Sequence, residues 1–237
     1  MEKVWCGMND LFSIREEEIF KAIKWLKDYE FVLIGGYAVN AYTLPRFSVD
    51  CDIVLRDETE LRKIEKNLLG IGYKKVNLPK EPQYSGCFSR YEKMLENDLE
   101  VSIDVLIKNI ADRMTGVVFL ADWIFKNSKL GILRGKTISE ETKLRIITID
   151  ALIVMKMISC RPTDIRDIFM MLPNALNKKW ITSEISLRYD FNDRISKIIE
   201  KVDSKQFRDG LSGVYGKFDQ KVFEKHRKML LTLQKSV

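Results

Sequence analysis

The chain has 237 residues, 46% of them hydrophobic, which is enough apolar material to bury a full core as one large domain or two small ones. Its longest apolar stretch, Ile146 to Ile158, is too short to span a bilayer and contains Asp150 and Lys156. The first ten residues also lack the basic start and apolar core of a signal peptide, so no membrane partner is expected. The net charge of +6 permits a polyanionic partner without demanding one.

Four scattered cysteines, Cys6, Cys51, Cys87 and Cys160, show no Cys-x-x-Cys spacing; they fit neither a zinc site nor a disulfide framework and point to a reducing cytoplasm. The single histidine, His226, reads as a surface residue, which leaves Ser-His-Asp and Cys-His mechanisms without support.

In chain order, residues 13 to 28 form the first expected helix. Ser13 followed by Glu16 is a capping box, and Ile19, Ile23 and Leu26, with Phe20 and Ala22, make an apolar stripe. Phe31 to Ile34 read as a strand feeding a tight turn at Gly35 and Gly36. A short helix is expected over Tyr37 to Leu44 and ends at Pro45, because the residue before a proline is pushed out of the helical region. A second strand covers Val49 to Leu55. There Val49, Cys51 and Ile53 alternate with Asp50 and Asp52, so a side-chain period of two projects both carboxylates from one face.

Two carboxylates on one face repel each other unless a cation or an arginine offsets them. Mg²⁺ suits such a pair, since it takes oxygen ligands and is usually held by a few carboxylates together with nucleotide phosphates. Gly35 and Gly36, without a Cβ, let the backbone approach a phosphate closely, and the amides opening the next helix point at an anion. Either feature alone is common. Strand, Gly-Gly, short helix, thirteen residues and then Asp-x-Asp on a strand, with Arg46 and Ser48 just before it, together resemble the signature of the DNA polymerase beta type nucleotidyltransferase superfamily. The resemblance covers about the first half of the chain. It implies that Gly35 and Gly36 bind phosphate, that Arg46 and Ser48 belong to the nucleotide site, and that Asp50 and Asp52 bind Mg²⁺.

Asp57 is expected to cap a helix from Glu58 to Leu69, with Leu61, Ile64, Leu68 and Leu69 facing inward and Gly70 and Gly72 closing it. Tyr73 to Asn77 and Cys87 to Met94 are short strand candidates. A turn at Glu96-Asn97-Asp98 then leads to a strand over Leu99 to Ile107, where Asp104 is the one carboxylate on an otherwise apolar run. Asp104 is either a solvent-exposed residue on an edge strand or, as the superfamily resemblance implies, a third catalytic acid. The cost of burying an unpaired charge favours the second reading.

After Thr115 the strand signals thin out. Val117 to Asn127 reads as helix, Leu130 to Ile138 as a small hairpin, and Ile146 to Ile158 as an apolar helix capped by Thr148 or Asp150. The run KMISCRPTDIRDIFMML carries Lys156, Arg161, Asp164 and Asp167, with Pro162 suited to the first turn of a new helix. Local roles are open to these residues: Asp164 complementing the positive end of that helix, and Arg161 or Arg166 pairing with Asp167.

The same set, downstream of an Asp-x-Asp core, looks like the third motif of the AbiEii-type nucleotidyltransferases, a group that includes toxins of toxin and antitoxin systems. Pro162 interrupts the run, and no fourth motif is placed. By that resemblance Lys156 contacts nucleotide phosphates, while Arg161, Asp164 and Asp167 shape the nucleotide side of a cleft. From Trp180 onward the pattern is of amphipathic helices. The basic residues near the end (Lys217, Lys221, Lys225, Arg227, Lys228, Lys235) read as a solvated helix face, with an RNA-binding face as the alternative.

The expected fold is α/β: a mixed, mostly antiparallel sheet flanked by helices forms a catalytic domain over residues 1–115. A mainly helical domain follows over 116–237, with the cleft between them. The implied reaction transfers a nucleoside monophosphate from an NTP to an acceptor hydroxyl, and pyrophosphate leaves. Asp50 and Asp52 hold Mg²⁺ on the triphosphate, and with Asp104 they hold a second Mg²⁺ that activates the acceptor, Mn²⁺ being the substitute ion. The expected acceptor is RNA, such as tRNA, or a protein; an antibiotic hydroxyl is the alternative, and an antitoxin protein is the partner the resemblance brings. A third reading keeps the fold as a catalytically silent nucleotide- or RNA-binding module, and the three occupied acidic positions count against it. The enzymatic reading requires the three acids to converge with no guanidinium permanently filling the gap between them.

Overall fold

The structure, a computed structural model, describes residues 8–77 and 87–235. Cys6 and the reading of the chain start before Met8 lie outside them. The chain divides into two compact units, one comprising Met1–Ala41, Phe47–Ile110 and Phe119–Ile147, the other Tyr42–Arg46, Ala111–Val118 and Thr148–Val237.

The first unit is built on strands β1 (Val32–Ile34), β2 (Asp50–Leu55), β3 (Lys74–Lys75), β4 (Cys87–Met94) and β5 (Glu100–Ile107). β6 (Asn109–Ala111) and β7 (Val118–Leu120) form a separate two-stranded ladder, and β8 (Ser128–Leu133) and β9 (Thr142–Ile147) complete the main sheet, whose order is β3-β4-β5-β2-β1-β9-β8. β1 runs parallel to β9 and β2 parallel to β5, while the other four pairings are antiparallel. The sheet is therefore mixed and mostly antiparallel, as expected. The strands run on past residue 115, because β8 and β9 pair as a wide hairpin and β9 docks on β1. The expected small hairpin over 130–138 captured only the first arm, and the expected helix over 117–127 opens as β7.

Alternation along the central strands separates two faces. Cys51, Ile53 and Leu55 of β2 and Val101, Ile103, Val105 and Ile107 of β5 are fully buried, and so are Ile19, Ile23 and Leu26 of helix α1 (Met8–Leu26). At roughly 1.5–3 kcal/mol for each large aliphatic side chain, their burial is a large stabilising contribution to the first unit. The opposite face of the same strands carries Asp50 and Asp52 followed by the buried Val54 on β2, and Ser102 and Asp104 followed by Leu106 on β5. Helix α1 begins at Met8, so Ser13 is not its cap. Glu16 is buried instead, and accepts hydrogen bonds from the Lys136 and Thr137 amides at 2.7 and 2.8 Å.

Helix α2 (Gly35–Val39) starts at the glycine pair itself, and helix α3 (Glu58–Gly70) is capped by Asp57, whose carboxylate accepts from Thr59 and Glu60. Ile64 and Leu68 of α3 are buried, but Leu69, expected to face inward, is 49% exposed because it lies off the i, i+4 row they define. Helix α4 (Ala121–Lys126) completes the unit.

The second unit is helical: α5 (Ile149–Ser159), α6 (Pro162–Met171), α7 (Lys178–Ser186), α8 (Phe191–Val202), α9 (Lys205–Tyr215) and α10 (Gln220–Gln234). α5 is buried on nearly every side and packs against α6 and α7, which is the behaviour of a helix that is apolar all round. Thr148 occupies its N-cap position without a side-chain cap bond, and Asp150 turns instead to the Leu176 and Asn177 amides at 2.8 and 2.9 Å. Asn177, Asp190, Ser204 and Asp219 cap the four later helices, each worth about 1 kcal/mol. His226 is not a plain surface residue. Its ring packs among Phe169 and Phe218, and Nδ1 lies 2.9 Å from the Phe169 carbonyl, which can only accept; the neutral ring therefore carries its proton on Nδ1.

Candidate active site

The parallel pairing of β2 with β5 aligns Asp50 with Ser102 and Asp52 with Asp104. Because directly paired residues share a face, all three acids and Ser102 project from the polar side of the sheet. β1 lies on the other edge of β2 with Ile34 opposite Asp52, so the chain turns at Gly35 directly over that carboxylate. Gly35 has φ +66, and a Cβ added there would lie 1.9 Å from Asp52 Oδ2 and 2.8 Å from its Cγ. Only glycine satisfies both the left-handed backbone and the space. The Tyr37 hydroxyl in α2 donates to the Ser48 carbonyl at 3.2 Å, and the Ser48 hydroxyl donates to the Asp50 carbonyl at 3.3 Å, which ties the glycine helix to the entry of the acidic strand. Gly35, Gly36, Ser48, Asp50, Asp52 and Asp104 thus belong to one neighbourhood within the first unit.

One residue of this neighbourhood was not expected. The antiparallel pairing of β4 with β5 sets Arg90 opposite Asp104, and its guanidinium donates from Nε to Asp104 Oδ1 at 2.8 Å and from Nη2 to Asp50 Oδ1 at 3.0 Å. Ser102 donates to the same Asp50 oxygen, and Glu92 stands 3.8 Å from Arg90. Burial raises the Asp104 carboxyl above the usual carboxylate range, and the Arg90 hydrogen bond holds it back only in part. Burial works against the Arg90 charge too, but Asp104 and Asp50 more than offset it and raise its pKa.

The three carboxylates share one sheet face, and Arg90 lies among them. Among the described residues no group of three or more His, Cys, Asp or Glu side chains is set to hold a metal ion, and a guanidinium stands between Asp50 and Asp104. The donor set nevertheless fits a hard divalent cation in kind, with carboxylate oxygens on one face and the Gly35 cradle holding one of them close to the backbone. Arg90 is 29% exposed, so water screens its ion pairs and their worth is nearer about 1 kcal/mol than that of a buried pair.

The remaining sequence candidates gather in the second unit. Arg46 donates to Asp167 from Nε and Nη2 at 2.8 and 2.6 Å, a bidentate pair. Lys156 Nζ lies 2.8 Å from Asp164 Oδ1 and 2.9 Å from Asp167 Oδ2. Asp167 is completely buried. Burial pushes its carboxyl up, but Lys156 and Arg46 outweigh that and hold it below the usual range. Burial also opposes the charges on Lys156 and Arg46, and the two aspartates raise both pKa values in spite of it. Asp164 also accepts from the Arg161 amide at 3.2 Å, the local helix-end role that was the alternative for it. Arg161 itself is half-exposed, with Asp112 3.7 Å from its Nη2. Of the two local partners expected for Asp167, Arg161 or Arg166, Arg166 stands 3.9 Å away and Arg161 lies near Asp112 instead, while Arg46 makes the stronger pair.

Arg90 and Ser102 were missed because their role depends on register. Ser102 was visible as the residue two before Asp104 on an alternating strand, and that spacing alone could have flagged it. Arg90 gave no such signal, since antiparallel pairing with β5 is what brings it to Asp50, forty positions away.

No curated protein sequence matches the chain. Several solved structures share its fold. JHP933 from Helicobacter pylori superposes with a TM-score of 0.56 at 16% identity, covering 97% of this chain and 94% of that one. A putative nucleotidyltransferase from H. pylori gives 0.52 at 16% identity, with 94% of each chain covered. MenT4, a nucleotidyltransferase toxin from Mycobacterium tuberculosis, gives 0.56 at 14% identity over 94% of this chain and 84% of that one. The family described as "Nucleotidyl transferase AbiEii toxin, Type IV TA system" matches residues 23–236. With nearly the whole chain matched, from the first helix through the buried Lys156–Asp167 cluster to the last, this protein belongs to the AbiEii nucleotidyltransferase toxin family and is a transferase.

Proposed function

We propose that the protein transfers a nucleoside monophosphate from an NTP to an acceptor hydroxyl, with pyrophosphate leaving, in a reaction that depends on Mg²⁺. The observation that carries this reading is the register of Asp52 with Asp104 beside Asp50, on one polar sheet face beneath the Gly35 corner. Asp50, Asp52 and Asp104 are the residues that would hold the metal. When bound, the divalent ion supplies Lewis-acid stabilisation of the charge on the transferring phosphoryl group and of the attacking oxygen. The chain's own part is positional. Gly35 and Gly36 offer backbone amides to phosphate at the start of α2, and Ser48 braces the strand that presents the acids.

Arg46, Lys156, Arg161, Asp164 and Asp167 are the proposed nucleotide-binding set of the second unit. Arg161 has the exposed guanidinium suited to an anion, whereas the buried Arg46 and Lys156 act by holding Asp167 and Asp164 in place. RNA such as tRNA is the proposed acceptor, with a protein hydroxyl as the variant and an antitoxin as the protein partner. A cytoplasmic setting goes with these partners, and among the described residues no helix is long and apolar enough to cross a membrane.

The test is incubation with each labelled NTP and Mg²⁺, first with total tRNA and then with a panel of hydroxylated antibiotics. Label on tRNA that disappears in the Asp50→Ala, Asp52→Ala variant supports the reading, and label on an antibiotic moves the acceptor to a small molecule. Tight NTP binding with no transfer to tRNA or to any antibiotic would count against these acceptors.

A further inference from the structure

We infer that Arg90 is a resident counter-cation that a divalent ion has to displace from Asp50 and Asp104, so that this arginine sets the metal affinity of the site. The inference rests on the metal-dependent reading above and adds to it a residue and a mode of control.

The contacts of the guanidinium are those of a ligand in a built site. Nε meets Asp104 Oδ1 at 2.8 Å, while Nη2 meets Asp50 Oδ1 at 3.0 Å and reaches Asp104 Oδ2 and Ser102 Oγ at 3.4 Å each. One planar cation thus takes oxygen lone pairs from both strands, the same lone pairs that a hard divalent ion would use. The two cations cannot share them. An oxygen engaged by an N–H cannot also bind an ion on that lone pair, and two positive charges a few ångströms apart repel.

Two features make the exchange accessible. Arg90 sits on β4, not on either acid-bearing strand, with a long side chain that is 29% exposed, so its guanidinium can swing toward solvent without moving either acid-bearing strand. Glu92 lies two residues along the same face of β4 and 3.8 Å from Arg90 Nε, offering the displaced guanidinium another carboxylate. In such a competition the apparent metal affinity is the intrinsic affinity reduced by the fraction of molecules in which Arg90 has swung away.

The experiment compares full-length wild type, Arg90→Gln and Arg90→Lys, stripped with EDTA and titrated with Mn²⁺, with the free ion followed by electron paramagnetic resonance. We expect Arg90→Gln to bind Mn²⁺ about tenfold more tightly, equivalent to about 1.4 kcal/mol, and Arg90→Lys to fall between the two. The melting temperature of Arg90→Gln should drop in EDTA and recover on adding Mn²⁺ by more than wild type gains. In wild type, the Nε–H resonance of Arg90 should be sharp and shifted in EDTA and lost as Mg²⁺ saturates the site, which keeps the idea testable if the glutamine variant fails to fold. Equal or weaker Mn²⁺ binding by Arg90→Gln, or an Arg90 resonance that Mg²⁺ saturation leaves unmoved, overturns the displacement and makes Arg90 a support for the carboxylates. If neither wild type nor variant binds Mn²⁺ better than Asp50→Ala, Asp52→Ala does, the metal-dependent reading itself has failed and takes this one with it.

Discussion

Replacing Gly35 with alanine separates the geometry of the site from the stability of the fold. The backbone there has φ +66, a conformation that costs an L-residue about 1–2 kcal/mol. The new methyl group would also arrive 1.9 Å from Asp52 Oδ2, well inside the 3.0 Å below which real Cβ contacts essentially never fall. The carboxylate must retreat by about 1 Å, a displacement that costs on the order of 10²-fold in rate when it strikes a catalytic group. Two readouts therefore move by very different amounts. Thermal unfolding should shift down by about 2–8 °C, given about 2–4 °C per kcal/mol for a chain of this size. Nucleotidyl transfer under saturating NTP should fall about a hundredfold. Gly70→Ala, at the end of α3 with nothing within 4 Å of the added methyl, is the control and should transfer normally. A Gly35→Ala protein that melts lower yet transfers at the wild-type rate would refute the argument, because Asp52 would then not need the place the glycine gives it.

Two further perturbations probe the second unit. Asp167→Asn removes the bidentate carboxylate partner of Arg46 and one of the two carboxylates on Lys156, and should destabilise the protein by about 3–5 kcal/mol in urea unfolding. In wild type the lowered carboxyl pKa means that the contribution of Asp167 is complete above the ordinary value of 3.8 and is lost as pH falls through the lower folded value. The variant should accordingly lose less stability than wild type on acidification below that point, and an unchanged acid limb would count against the cluster. His226 is the only histidine, so its titration is directly visible by proton NMR. Burial pushes its pKa below the ordinary 6.5, so its contribution is complete above 6.5 and lost as pH falls toward the folded value. A midpoint at or above 6.5 would contradict the packing of the ring against Phe169.

Much of the first unit was legible because its signals are local. The stripe Ile19, Ile23 and Leu26 needs only a helical period, and the alternation of Asp50, Cys51, Asp52 and Ile53 needs only a strand period, so the buried and polar faces of α1 and β2 follow without any knowledge of neighbours. Asp57 as a cap is of the same kind. The failures have an equally definite cause. Ser13 and Glu16 have the spacing of a capping box, but the chain enters the helix five residues earlier and Glu16 is claimed by the amides of Lys136 and Thr137, 120 positions away and more. Leu69 is apolar yet faces water, since the packing of α3 selects a row through Ile64 and Leu68.

Local periodicity thus prescribes which side chains share a face, because it depends on one element's own geometry. It says nothing about what stands across from that face. That Arg90 meets Asp50 and Asp104, and that Arg46 rather than Arg166 makes the strong pair with Asp167, comes from pairings between segments tens of residues apart or more than a hundred. Those pairings are selected by burial summed over a whole sheet or helical core, and no stretch of sequence short enough to be read by its own period contains that sum.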